Sequence, residues 1–433
     1  MGLLEIALVL LFLLCLLLGS GLWIALALTG TGWVATSLVH PQPGLFLASA
    51  FWESSGSWTL AALPMFVWMG EILFRTKLSE ELFNGLAPWV RRLPGRLLHV
   101  NILACGIFGS VSGSSAATCA TVSKIALPEL RRRGYDERTA IGSLATAGTL
   151  GIMIPPSIIM VVYAVAAEVS IVRVFIAGML PGLLVMGLFS LYIIAWALLN
   201  PAKQPPAGPR LTFMQKLRES AQLIPCVLLI FAVIGTMFVG WATATEAAAF
   251  GVLGSLILAA VTRSLTWSSF VESLAGATRL SCMILFILAG AAFLTKAMAL
   301  TGIPAALAAA VAGAGLGPYA IIAILTVVYL ILGTALDGVS MIVLTTSVVV
   351  PMVQHAGFDL VWFGIFIVLL VELAEISPPL GFNLFVMQTM TGKEQTEIAW
   401  AALPFFMMLV LTVALITVFP AIVTWLPDVL LGA

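Results

Sequence analysis

Residues 109–121 read GSVSGSSAATCAT, and nine of these thirteen are Gly, Ser, Thr or Cys. Their hydroxyls both donate and accept hydrogen bonds, and Gly109 and Gly113 permit a tight or left-handed backbone. Downstream, GTLGIMIPPS (148–157) places two prolines in an apolar run. Proline lacks a donor and clashes with the preceding turn, which frees carbonyls near Gly148 to Ile152. A second set follows in LGTALDGVSM (332–341) and ELAEISPPLGFN (372–383), now with three carboxylates, Asp337, Glu372 and Glu375. Such a density of oxygens suits a hard cation, and the half-helix N-termini beside it suit a carboxylate.

The elements that hold these residues belong to a chain poorly suited to water. Of 433 residues, 61% are hydrophobic and 9% charged, against about a quarter charged in soluble domains. Runs such as LLEIALVLLFLLCLLL and LIPCVLLIFAVIGTMFVG approach the ~20 apolar residues that cross a bilayer. We therefore expect an all-α polytopic membrane protein, with spans near 3–18, 22–39, 57–74, 139–168, 172–199, 221–240, 243–262, 277–300 and 398–425. The run after Glu5 has no basic leader and reads as a first span rather than a cleaved signal peptide.

Bare backbone in hydrocarbon costs several kcal/mol per group. The interrupted stretches 97–127 and 318–350 thus read as re-entrant hairpins, the first with its tip at Ser110–Ser115, and 360–390 as a helix broken at Pro378-Pro379. Close helix packing is the competing explanation for the small residues. For Glu372, an interfacial position or a structural pair competes with an ion path. Lys124 and Arg138 read as membrane anchors rather than ligands.

Charge gives orientation. Of 19 Lys and Arg, 15 lie within residues 1–218, clustered at Arg91, Arg92 and Arg96, at Arg131–Arg133 and Arg138, and at Lys203, Arg210, Lys216 and Arg218. These loops should face the cytoplasm. Because each cluster sits between apolar spans, a nucleic-acid surface is excluded. The five cysteines are isolated and form no CxxC pair, so neither a disulfide framework nor a zinc site is indicated.

The chain also repeats. LPELRRRGYD (127–136) matches VPMVQHAGFD (350–359), and the same offset of 223 residues carries Pro155-Pro156 onto Pro378-Pro379 and Leu180-Pro181 onto Leu403-Pro404. Five crossings separate the two matching loops, and only the first is rich in arginine. The copies should therefore be inverted, as in many secondary transporters. The expected organisation is N-terminal scaffold helices (1–96), then the first hairpin, broken helix and following span (97–199). A cytoplasmic linker (200–220) leads to a second set of scaffold and arm helices (221–317), and 318–433 carries the second hairpin, broken helix and final span.

The motifs GSVSGSSAAT, LPELRRRGYD, GTLGIMIPPS, LGTALDGVSMIVLT and VELAEISPPLGFNLFV closely resemble the large membrane subunit, of DctM type, of tripartite ATP-independent periplasmic (TRAP) transporters. The resemblance covers essentially the whole chain. It implies an elevator-type carrier of the ion-transporter superfamily, with about 11 transmembrane helices plus two re-entrant hairpins. It further implies no enzymatic activity, residence in the bacterial inner membrane, and no cofactor beyond sodium as coupling ion. The implied partners are a small four-helix membrane subunit (DctQ type) and a periplasmic substrate-binding protein (DctP type), and the implied substrate is an organic anion. Carried across, one sodium site would involve Ser112, Ser115, Gly148, Gly151 and Pro155. A second would involve Gly333, Thr334, Asp337, Ser377 and Pro378. Substrate contacts would come from Ser114, Thr149, Pro156, Pro379 and Asn383. Glu372 and Asn383 fit the family pattern, whereas Glu375 stands where an aliphatic residue is expected.

Two other functions compete. An intramembrane serine hydrolase would use SVSGSS as a nucleophile turn, but none of His40, His99 and His355 lies in a second motif that could supply its base. A stand-alone sodium/dicarboxylate symporter would share the hairpins and need no binding protein.

Overall fold

Every regular element among the described residues is helical, as the apolar runs demand of a backbone that must satisfy its own hydrogen bonds in lipid. The computed structural model describes residues 2–432 other than 77, 207–210, 314, 316, 335 and 380. Arg210, counted in the third basic cluster, lies outside the described residues.

The N-terminal part contains α1 (Leu3–Gly19), α2 (Ile24–Val39), α3 (Pro43–Ser55), α4 (Ala62–Phe74) and α5 (Leu78–Val90). A 3-10 turn at Trp58–Ala61 leads into α4, and the chain bends by 55° between α3 and this unit. The first hairpin is α6 (Leu98–Ser112) and α7 (Ser115–Arg132). The first broken helix comprises α8 (Glu137–Ala147), α9 (Leu150–Met153) and α10 (Ile158–Ala166), bent by 43° at the prolines. α11 (Ile171–Leu199) then returns to the linker, which carries the short α12 (Phe213–Glu219).

α13 (Ile224–Phe238), α14 (Ala244–Val261), α15 (Trp267–Thr301) and α16 (Ile303–Gly313) follow. The second hairpin is α17 (Pro318–Gly333) and α18 (Gly338–His355), and the second broken helix is α19 (Leu360–Glu375) and α20 (Phe382–Thr391). α21 (Gln395–Val418) and α22 (Ala421–Leu431) close the chain.

The duplication extends to local geometry. One offset of 223 residues carries both ends of α7 onto α18. Asp136 caps α8 by accepting from the Thr139 amide at 3.0 Å, and its counterpart Asp359 caps α19 by accepting from the Trp362 amide at 2.7 Å. At the hairpin tips Ser114 and Asp337 occupy equivalent cap positions, accepting from Ala117 N at 3.4 Å and Ser340 N at 3.3 Å. Between the copies lie α8–α10, α11, α13, α14 and α15, the elements that the expected five crossings would use.

Some boundaries differ from the sequence expectation. The stretch 398–425 is not one span: α21 stops at Val418 and α22 starts after Pro420, which has no amide to continue a helix. α15 begins ten residues before the expected 277, because Thr266 caps it through the Ser269 amide at 3.1 Å. α3 and α16 were not anticipated as separate helices. Among the described residues, five helices are long and apolar enough to cross a membrane, or up to eight with each bent pair taken as one span. The expected eleven would draw on shorter apolar helices too.

α19 occupies the centre. Every residue from Val361 to Ala374 is buried, and α19 packs against α9, α10, α11, α17, α18, α21 and α22. A helix apolar on all sides can only be stable in such a position. This is the element that carries Glu372.

Candidate functional site

The first hairpin turns at Gly113, whose φ of 61° is the left-handed conformation that favours glycine. Beside the turn, Ser112 Oγ lies 2.7 Å from Thr118 Oγ1, and Thr118 Oγ1 also contacts the Ser114 carbonyl at 2.7 Å. The broken helix presses directly onto this knot of oxygens. A Cβ on Gly151 would sit 2.8 Å from Thr118 Oγ1 and 3.2 Å from the Ser114 carbonyl oxygen. One on Gly109 would sit 2.4 Å from Gly151 Cα. The glycines are thus required by close approach of two backbones.

Asn383 ties the copies together. It is fully buried on α20 of the second repeat, yet its Oδ1 accepts from Ser115 Oγ at 3.1 Å and its Nδ2 donates to the Ala145 carbonyl at 2.9 Å, both in the first repeat. Gly148 faces the same amide: a Cβ there would lie 3.1 Å from Asn383 Nδ2. Ser112, Ser114, Ser115, Gly148, Gly151 and Asn383 therefore converge. Thr149 is buried one turn away and faces Glu372, with its hydroxyl donating to the Thr146 carbonyl at 2.8 Å. Pro155 and Pro156 lie buried in the break itself.

Two contributors were missed in the sequence. Thr118 sits one turn after Ser114, a spacing that puts both on one helix face. Ser157 caps α10 and donates to the Ile152 carbonyl at 2.6 Å, satisfying one carbonyl freed by the prolines. Its position immediately before IIMVV is an N-cap signal.

The second hairpin is arranged differently. Gly333 packs against α19, where a Cβ would meet Ala374 Cβ at 2.1 Å. Asp337 accepts from the Ser340 hydroxyl as well as its amide. The Thr334 hydroxyl donates to the Ile331 carbonyl at 2.7 Å, and Ser377 Oγ to the Leu373 carbonyl at 2.6 Å. Pro378 and Pro379 point elsewhere. Pro378 lines a pocket of about 340 Å³ with Thr396, Trp400 and Phe406, and the Pro379 carbonyl accepts from Gln395 Nε2 at 2.6 Å. Asp337 lines another cavity, of about 830 Å³. The structure thus brings Gly333 onto α19 but does not place Pro378 and Asp337 in one pocket.

Glu372 and Glu375 stand one turn apart on α19. Neither Glu372 oxygen has a hydrogen-bond partner among the described residues, nor does Glu375 Oε2. Around them are Thr149, Ser115 and Asp337.

A duplicated helical bundle whose kinked segments bury uncharged oxygens against each other defines a multi-pass membrane transport protein. Solved structures share the fold: the Alcanivorax borkumensis YdaH transporter, at TM-score 0.64 and 14% identity over 92% of this chain and 98% of that one, and Neisseria gonorrhoeae MtrF, at 0.57 and 13% over 87% and 84%. Residues 9–422 match the family model of the tripartite ATP-independent periplasmic transporter, DctM component, and the chain belongs to that family. It is similar to the C4-dicarboxylate TRAP transporter large permease protein DctM of Pseudomonas aeruginosa, 34% identical across 92% of this chain and 93% of that protein. The Vibrio cholerae protein of the same name is 30% identical across 87% of each. Haemophilus influenzae SiaT, a sialic acid TRAP transporter permease, is 26% identical across 94% of this chain and 68% of its own length. The chain is a permease and not an enzyme.

Proposed function

We propose that this permease imports an organic acid by sodium-coupled secondary transport, with the two hairpins and broken helices forming a site that moves across the membrane as an elevator. The observation that carries the reading is the Asn383 bridge. It holds the second broken helix against the first hairpin tip and gathers hydroxyls with close-packed glycine backbone, with no basic group bonded to Ser112, Ser115 or Asn383 among the described residues. Such a cluster suits a monovalent cation, which needs oxygens but little countercharge. We assign the first sodium to Ser112, Ser115, Gly148, Gly151 and Pro155, and a second to Gly333, Thr334 and Asp337 of the second hairpin with Ser377 and Pro378 of the break, two groups that this conformation holds in separate pockets. The substrate contacts fall to Ser114, Thr149, Pro156, Pro379 and Asn383.

A carboxylate as substrate is supported by the names of relatives, which specify C4-dicarboxylate, ectoine and sialic acid. A DctQ-type small subunit is supported by the fused DctMQ permease of Oleidesulfovibrio alaskensis, 30% identical across 87% of this chain. A DctP-type binding protein and an inner-membrane location follow from the family's tripartite periplasmic description. Two sodium ions moving down about 100 mV would supply roughly 4–5 kcal/mol before substrate charge is counted.

Proteoliposomes holding this chain, the small subunit and the binding protein test the proposal. Succinate uptake should rise with an inward sodium gradient and vanish when choline replaces sodium. Uptake of equal rate without sodium would refute the coupling, and full uptake without the binding protein would refute the tripartite arrangement.

A further inference from the structure

α15 carries two basic residues near its opposite ends, and they differ in partner. Lys296 is held by Glu53 of α3 and lines a cavity of about 370 Å³ with Glu168 and Thr346. Arg279 has no ion-pair or hydrogen-bond partner among the described residues and is exposed. It opens into the cavity of about 830 Å³, whose other walls are Leu22 and Trp23 between α1 and α2, Phe286 further along α15, and Asp337 with Ser340 of the second hairpin. In this conformation only the wider cavity offers a free cation.

The position of Arg279 along α15 follows from its neighbours. Arg75, at the end of α4, donates to Glu272 at 2.6 Å near the start of α15. α5 separates α4 from the loop of Arg91, Arg92 and Arg96, so the contact fixes the start of α15 beside the end of α4. Arg279 is two turns further in, on a wall that is otherwise apolar. A guanidinium presents its donors as a fork matched to a carboxylate.

We propose that Arg279 binds the carboxylate of the transported acid within this cavity, beside the second hairpin and at a station separate from the contacts assigned to Ser114, Thr149, Pro156, Pro379 and Asn383. The inference rests on reading the chain as a carboxylate carrier. Asp337 lines the same cavity but is not paired with Arg279, being engaged with Ser340. The guanidinium is therefore available to an incoming anion, and Asp337 disfavours the anion settling at the hairpin tip.

Cys282 provides a reporter: it is exposed, lies one turn from Arg279 and lines the same cavity. Of the other cysteines only Cys15 is exposed. In the full chain carrying C15S, reconstituted in nanodiscs, Cys282 is modified with anionic ethylsulfonate and cationic trimethylammonium methanethiosulfonates. R279Q should lower the anionic-to-cationic rate ratio about tenfold, while R279K keeps most of it. Succinate should slow modification in the parent and not in R279Q. An uncharged methanethiosulfonate should react equally with all three, showing the fold intact. A ratio unchanged by R279Q would overturn the proposal, as would succinate protection equal in parent and R279Q, the result expected if Arg279 merely anchors lipid headgroups. The ratio needs no sodium. Loss of sodium-driven uptake with the ratio intact would strike only the coupling, whereas an unaltered ratio in R279Q with uptake intact would strike only this inference.

Discussion

Asn383 makes the most consequential single contact in the molecule. Its amide joins segments 268 and 238 residues apart in sequence, meeting Ser115 and the Ala145 carbonyl. Replacing it with Leu would strand a buried hydroxyl and a buried carbonyl, at a cost of about 1–3 kcal/mol for each group left unsatisfied. We expect Asn383→Leu to lower the unfolding temperature in detergent and to abolish sodium-driven uptake, while Asn383→Asp, which keeps the acceptor for Ser115, should retain more of both. Equal stability of Asn383→Leu and the parent would show that the bridge carries no weight. The residue types at this site were legible in the sequence, since hydroxyls and glycines beside a double proline have few uses in lipid. The pairing was not. Nothing in a linear pattern links Asn383 to Ser115, although the spacing of Thr118 from Ser114 and the N-cap position of Ser157 are readable signals. Arg279 looked unremarkable until its cavity was visible.

Helix caps set the ends of the repeated elements. Asp136 and Asp359 hold the first turns of α8 and α19 at equivalent places in the two copies. At Asp136 burial favours the neutral acid, but bonds from the Thr139 hydroxyl and amide, with Lys203 nearby, outweigh it and lower the carboxyl below its ordinary 3.8. A carboxyl lowered in the fold stabilises it above the unfolded value and loses that contribution as pH falls through the folded value. Asp136→Ala should therefore cost about 0.5–2 kcal/mol at neutral pH. It should also flatten the decline in stability below about pH 4, measurable as unfolding temperature against pH. Asp136→Asn should keep most of the cap yet flatten the same decline. A decline as steep in both variants as in the parent would place its origin elsewhere. At this scale the sequence was informative where proline or a cap punctuates it, hence the match of both breaks. It was underread at α16 and α22, whose separation from their neighbours is set locally by Gly302, left-handed at a φ of 75°, and by Pro420.

The whole molecule holds two copies of one hairpin and broken helix around α19, and the charge pattern predicts that they face opposite sides. The end of α7 holds Arg131, Arg132 and Arg133, with the latter two bonded to Glu129, whereas its counterpart at the end of α18 has Gln354 and His355. With single cysteines at Arg132 and Gln354, a membrane-impermeant maleimide should label one from each side of oriented vesicles. Labelling of both from one side would dismantle the inverted arrangement. The duplication was readable because a fixed offset survives in turn residues, which are held by backbone geometry. The relation between hairpins and the helices around them was not, because it depends on side chains meeting across hundreds of residues.

Sodium binding to the purified chain tests the account at its centre, with no substrate needed. In equilibrium measurements with radioactive sodium, the parent should bind saturably, and Ser115→Ala combined with Gly151→Ala should weaken binding at least about tenfold. The double variant removes one hydroxyl ligand and pushes a Cβ to 2.8 Å from Thr118 Oγ1. Absence of saturable binding by the parent, or equal affinity of the double variant, would contradict the account.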